Sequence, residues 1–250
     1  NKLIKNKNKI LAISRTNWEL KNENIKFLNL KDLDKIFFDK YYSIVNTFLN
    51  TKVDVIIYLP TIRDHEFKIN SDNINIINEI YNINSLNLIK FIEYNISKSI
   101  IGKTHIVYTS SVSTFLNLKK NMYYGSGKIL SEFYLKSLSL KYPKLNLVIY
   151  KLGYLNTKKN TNKKFFLPKC DLNNVSNFII KGFFNHRNIK IYPFYWIIIK
   201  YIILILPKKL IYFFYRRWII EIFQKNLCLI TIIYITSIDQ IIIEIIFYTF

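Results

Sequence analysis

The stretch His105-Ile106-Val107-Tyr108-Thr109-Ser110-Ser111, followed at a short distance by Tyr124-Gly125-Ser126-Gly127-Lys128, decides how this chain is read. The first part is an apolar run that passes directly into a polar end, the pattern of a buried strand giving way to a loop. The second part opens a segment with helical character over roughly 123–141. Tyr124 and Lys128 stand four apart, so on a helix they share a face and the ammonium can approach the phenol. A nearby cation favours the phenolate over its ordinary pKa of about 10, which makes a tyrosine usable as an acid or base near neutrality. The pair alone is a weak signal in so Tyr- and Lys-rich a chain, since Tyr154 and Lys158 repeat the spacing.

Outward from this stretch, short apolar runs alternate with helix-compatible ones, which predicts a parallel sheet flanked by helices. Lys9 to Ser14, Asn24 to Leu28, Val53 to Leu59 and Leu145 to Tyr150 read as further strands, the third stopping at Pro60, which cannot donate to a central ladder. Residues 74–95 carry Ile77, Ile80, Leu88, Ile89, Phe91 and Ile92 at helical spacing. Four of the 5 glycines (Gly102, Gly125, Gly127, Gly153) fall between 102 and 153, so that window has backbone needs the rest lacks. No internal repeat is present.

Three features at fixed distances belong together. The strand at 105–108 runs into Ser110-Ser111, Tyr124 follows Ser111 by 13 positions, and the strand at 145–150 leads into Leu152-Gly153-Tyr154-Leu155-Asn156-Thr157. In these the sequence resembles the short-chain dehydrogenase/reductase family over roughly residues 9–157. The resemblance implies an α/β fold, a Rossmann-like doubly wound parallel sheet, and hydride transfer between a nicotinamide cofactor and a carbonyl/alcohol pair. By it Tyr124 would donate or accept the proton, Lys128 would lower its pKa and hold the nicotinamide ribose, and Ser111 would orient the substrate oxygen. Gly153 and Thr157 would lie in the turn that contacts the cofactor. Tyr-x-x-x-Lys-x-x-x-Glu, completed by Glu132, resembles the extended branch of epimerases and dehydratases. The short region after Thr157 is closer to the compact reductases. The basic-aromatic C-terminus is similar to reductases of surface-polysaccharide pathways, which would make a sugar nucleotide or lipid-linked sugar the substrate.

The sequence also departs from that family. Its glycine-rich loop, which brings backbone N–H groups to the cofactor pyrophosphate, should follow the first strand, yet no glycine precedes Gly102. If the strand at 9–14 is the second of the fold, the first strand and that loop lie upstream of Asn1. At the end of the 9–14 strand, Ser14-Arg15 offers a cation to a 2′-phosphate where an acidic residue would bind a ribose, so NADP is expected, with NAD the alternative. Asn29 would lie near the adenine. Leu59-Pro60-Thr61 stands where the family has an Asn-Asn-Ala-Gly-like loop. The helical Asn of the family's proton relay falls near Asn82, or on Tyr81 in an ungapped pairing.

Composition bounds the alternatives. Lys+Arg 37 against Asp+Glu 16 give a net charge of +21, and half the residues are hydrophobic, which excludes a disordered tail. The charge suits an acidic partner. It equally suits an AT-rich coding bias, since Ala12 is the only alanine while Ile, Asn, Lys, Tyr and Phe crowd every block. The basic residues are scattered rather than gathered on one stripe, so no nucleic-acid partner is expected. Cys170 and Cys228 make no disulfide framework, and His65, His105 and His186 are too dispersed for a metal site. The expected organisation is a catalytic domain over 1–190 and an apolar, basic-aromatic segment over 191–250. That segment reads either as an interfacial element on an anionic membrane, anchored by Trp196, Tyr201 and Trp218, or as a packed helix pair. Whether 221–250 belongs to the native protein is open at this level. A cytoplasmic enzyme, peripheral on the inner membrane face and able to form a homodimer, is the resulting expectation. A catalytically silent Rossmann protein that binds or regulates is the rival.

Overall fold

A computed structural model describes residues 9–14, 23–29, 33–50, 53–63, 74–116, 121–157, 167–182 and 188–207. The elements run β1 (Ile10–Ser14), β2 (Ile25–Asn29), α1 (Lys35–Phe48), β3 (Val55–Tyr58), α2 (Ile74–Tyr81), a π-helical turn (Asn82–Leu86) and α3 (Asn87–Ser97). They continue with β4 (His105–Ser111), α4 (Ser113–Leu116), α5 (Met122–Lys141), β5 (Asn146–Leu152), α6 (Leu172–Gly182), β6 (Asn188–Tyr192) and α7 (Tyr195–Ile205). Every strand pairing is parallel. Among the described residues the strands form two sheets, β1-β2 and β3-β4-β5-β6. Parallel neighbours need crossover connections, and in the four-stranded sheet helices supply them, α2 and α3 between β3 and β4, α4 and α5 between β4 and β5, and α6 between β5 and β6.

The four-stranded sheet is covered because its strands are apolar on both sides. On one side Ile56, Ile106, Tyr108, Leu147 and Ile149 pack with Leu88 and Ile92 of α3 and Leu135 and Leu138 of α5. The alternate residues Val107, Val148 and Tyr150 are fully buried too. Near β5, Tyr150 donates to the Ile179 carbonyl of α6 (3.1 Å). Strands buried on both faces read as continuous hydrophobic runs, which is why 105–108 and 145–150 stand out in the sequence. A separate core joins β2 to α1 through Leu28, Phe37, Tyr41 and Val45. Asp34 starts α1 by accepting from the Phe37 N–H (2.7 Å).

Two compact units are distinguished. The first comprises Asn1–Gly153 and Val175–Pro193, the second Tyr154–Asn174 and Phe194–Phe250. The boundary expected at residue 190 therefore falls inside β6, a strand of the first unit. In the second unit the Cys170 N–H donates to the Tyr154 carbonyl (2.7 Å), and Tyr195 donates to that of Pro168 (3.0 Å). Expected helix 74–95 is interrupted by the π turn, and expected strand 105–108 continues to Ser111.

Candidate active site

Both halves of the deciding stretch end at the same place. β4 carries its backbone to Ser111, and the chain turns at once into α4. The Ser111 hydroxyl oxygen accepts from the Ser113 N–H (3.2 Å) and from the Ser113 hydroxyl (2.8 Å). Two acceptances use both lone pairs of a hydroxyl, so the Ser111 proton is left to donate elsewhere. The Thr114 hydroxyl donates to the Ser111 carbonyl (2.8 Å), fixing the turn from its other side. Gly125 sits against this turn: a Cβ there would lie 3.4 Å from the Ser113 carbonyl oxygen. This approach joins α5, at the residue after Tyr124, to the start of α4.

Tyr124 and Lys128 occupy successive turns of α5 and are both buried, Lys128 at 1% exposure. The Lys128 ammonium lies 5.9 Å from the centroid of the Tyr124 ring and 5.0 Å from that of Tyr108. It donates to the carbonyls of Thr109 (3.1 Å) and Pro60 (3.2 Å). Two of its three protons are so placed, and neither partner is a carboxylate. Burial, reinforced by the Arg63 charge and opposed by Glu132, pulls Lys128 from its ordinary range down to about 7. Around it burial pushes the Tyr108 and Tyr58 phenols well up.

The turn after β3 is sewn into the site from two sides. Pro60 takes the Lys128 bond, and buried Ile62 is clamped by Asn84, whose side chain accepts from the Ile62 N–H (3.1 Å) and donates to its carbonyl (2.8 Å). Asn84 reaches the core from the π turn, a wide helical turn of the kind that recurs at functional sites. The Asn84 carbonyl accepts from Ser131 of α5 (2.9 Å), and Ser85 donates to the Gly127 carbonyl (3.0 Å). Gly127 suits this approach, because a Cβ would lie 3.2 Å from Asn84 Cβ and 3.3 Å from Ser85 Oγ, tighter than ordinary contact. Asn84 is buried and Asn82, the residue near the expected relay position, is half-buried, while Tyr81 shares a hydrogen bond with Ser126 (2.8 Å).

A second polar cluster braces the end of β4. Ser110 donates to Glu132 (2.5 Å), and the other Glu132 oxygen pairs with Lys151 (2.9 Å) and Lys136 (3.6 Å). Lys151 also donates to Thr114 (2.8 Å), closing a ring from α5 through β5 back to the Ser111 turn. Register makes this possible, since Ser110 and Lys151 are partners across β4 and β5. Glu132, singled out as a mark of one branch, thus has a structural task of its own.

Arg15 lies outside the described residues. Asn29 is exposed at the carboxyl end of β2, opposite Ser14 of β1. Gly153 is buried, its N–H spent on the Tyr192 carbonyl (2.8 Å). Thr157 belongs to the second unit, where its N–H donates to Leu155 (3.0 Å). Sequence reasoning missed Arg63, whose guanidinium lies over the Tyr124 ring, 5.9 Å from its centroid. It also missed Asn84 and Lys151. Among the described residues no three of His, Cys, Asp and Glu are grouped to hold a metal, and no helix is long and apolar enough to cross a membrane.

No family model matches the sequence, and no curated protein matches it. Solved structures do. An apo SCOR enzyme from Clostridium thermocellum is similar with a TM-score of 0.60 at 12% identity, over 76% of this chain and 83% of that one. A short-chain dehydrogenase from Burkholderia cenocepacia in complex with NADP gives 0.60 at 9% identity, over 76% and 78%. The Thermoplasma acidophilum aldohexose dehydrogenase gives 0.61 at 14% identity, over 76% and 85%. With its parallel sheets, covering helices and these likenesses, the chain has the Rossmann-type fold of the short-chain dehydrogenases.

Proposed function

We propose that this protein is an NAD(P)-dependent oxidoreductase that interconverts a carbonyl and an alcohol, with Tyr124 as acid/base. The observation that carries the reading is the buried Lys128 ammonium. It is held by two main-chain carbonyls beside the Tyr124 ring, with one proton unassigned and no ion pair among the described residues. A lysine buried at such cost beside a tyrosine supports a chemical task.

That donor set fits the cofactor. The third Lys128 proton suits a ribose hydroxyl, Asn29 stands at a strand's carboxyl end where dinucleotides bind, and Ser14-Arg15 favours NADP, with NAD the alternative. When bound, the cofactor supplies or takes the hydride. The protein's own contribution is positional and protonic. Ser111, with both lone pairs engaged by Ser113, donates its proton to the substrate oxygen and orients it. The Tyr124 hydroxyl gives its proton to that oxygen in reduction and recovers it in oxidation. Thr157 and Gly153 remain proposed cofactor neighbours. A sugar nucleotide or lipid-linked sugar is the proposed substrate.

Carbonyl-dependent NADPH and NADH oxidation, measured for the native chain and for Tyr124→Phe, tests this. The phenyl ring keeps the packing and removes the proton, so activity should fall by about 100-fold or more. Equal rates would sink the oxidoreductase reading, and cofactor binding without turnover across a carbonyl panel would favour a silent binding protein.

Peripheral membrane contact is supported by α7, which exposes Ile197, Ile198, Tyr201, Leu204 and Ile205 beside Lys200. Flotation with anionic liposomes, with and without substitution of Leu204 and Ile205 by Ser, measures it. Flotation unaffected by the substitutions would refute contact through this helix.

A further inference from the structure

We propose that Arg63 receives an anionic group, a carboxylate or a phosphate, carried by the substrate. This rests on the reading of Tyr124 as the reacting acid/base. Arg63 lies with its guanidinium over the Tyr124 ring, 5.9 Å from the centroid, and the Lys128 ammonium is equally far from the same ring. Two cations therefore flank one phenol. Among the described residues neither forms an ion pair. The nearby carboxylate, Glu132, is already engaged by Lys151 and Lys136. The two cations also act on each other, since the Arg63 charge is one cause of the fall in the Lys128 pKa. Among the described residues Arg63 has no counter-ion, so it is complementary to an anion, and a guanidinium is the side chain best suited to bind one bidentately.

Arg63 is not on a loose tether. Its predecessor Ile62 is buried and held at both its N–H and its carbonyl by Asn84, and Pro60 is bonded to Lys128. The guanidinium is thus presented from a fixed turn, which lowers the entropy lost on binding. It is half-exposed, whereas Lys128 is 1% exposed, so Arg63 is the cation more open to a group arriving from solvent.

The cofactor's phosphates are the other source of such an anion, and the experiment separates the two. Paired carbonyl substrates, alike except for a carboxylate or phosphate, are compared on the native chain and on Arg63→Gln, with Arg63→Lys as the conservative variant. The preference in kcat/KM for the charged partner should fall about tenfold or more in Arg63→Gln and be partly restored in Arg63→Lys. An unchanged preference, or a cofactor Kd that weakens by the same factor, would overturn the proposal. A second readout needs no turnover. Phenylglyoxal labels arginine, and mass spectrometry follows its addition at Arg63. Inorganic phosphate or oxalate should slow that addition in the presence of saturating NADP; labelling at the same rate with and without them would overturn it. Absence of carbonyl reduction by the native chain, with Arg63 still protected, would count against the oxidoreductase reading alone.

Discussion

Replacing Lys128 with Met separates what the ammonium does for the site from what it costs the fold. Methionine keeps the length and the apolar stem and removes the charge. In the folded chain burial pulls the lysine from 10.5 to about 7. At roughly 1.4 kcal/mol per pH unit, the charged form is about 5 kcal/mol worse accommodated than in water. Between these two values the unfolded chain binds a proton that the folded chain has lost, so stability rises with pH. From pH 7 to pH 9 the native chain should gain about 2 kcal/mol from this group, and the variant should lack that increment. Absolute stability is a poorer readout, because the variant also leaves the Pro60 and Thr109 carbonyls without their donor, at about 1–3 kcal/mol each. The upper limit matters too. Tyr41, Tyr58 and Tyr108 are held above their ordinary range by burial, so the unfolded chain ionises first near pH 10 and stability then declines. Urea unfolding at steps between pH 6 and pH 9 gives the comparison. Parallel curves for the two proteins over pH 7–9 would refute the desolvated ammonium and the argument built on it.

Gly127→Ala pushes a methyl to 3.2 Å from Asn84 and 3.3 Å from Ser85, and should cost about 1–3 kcal/mol in urea unfolding; an unchanged midpoint would mean that α5 and the π turn can part freely. Glu132→Ala removes the carboxylate from Lys151 and Ser110 and should cost about 3–5 kcal/mol, of which Lys151→Met in the same chain recovers part; strictly additive losses would show that the two are not coupled. Asn84→Ala removes both clamps on Ile62, so trypsin should cut after Arg63 faster than in the native chain, and equal cleavage rates would show the turn to be held otherwise.

The chemistry-bearing stretch was legible because it obeys two local rules at once. The two-sided burial of β4 gives an unbroken apolar run, and the four-residue spacing of Tyr124 and Lys128 needs only a helix to bring them together. Element α1 carries its own signals in the sequence: Asp34 is a capping residue, and Phe37, Tyr41, Val45 and Phe48 follow at helical spacing. The strand β6 is short, and the alternation of Asn188–Tyr192 spans only 5 residues, so its signal is weak beside the long apolar runs of β4 and β5. What lay beyond the sequence depends on contacts between distant residues. The π turn and its packing against α5 are what set Asn84 on Ile62 and Ser131. The ion pair of Lys151 with Glu132 follows from the β4–β5 register. Arg63 is one of several loop cations in sequence, and only the folded chain sets it over Tyr124, 61 positions away.

Hydride chemistry at Tyr124 is the central claim, and isotope transfer reads it directly. NADPH and NADH carrying deuterium at nicotinamide C4 are incubated with the protein and a panel of charged and neutral carbonyl compounds, and the alcohols are weighed by mass spectrometry. One deuterium should appear in an alcohol product with the native chain and be reduced by about 100-fold or more with Tyr124→Phe. Deuterium retained wholly on the cofactor across the panel, or transferred equally by both proteins, would contradict the account.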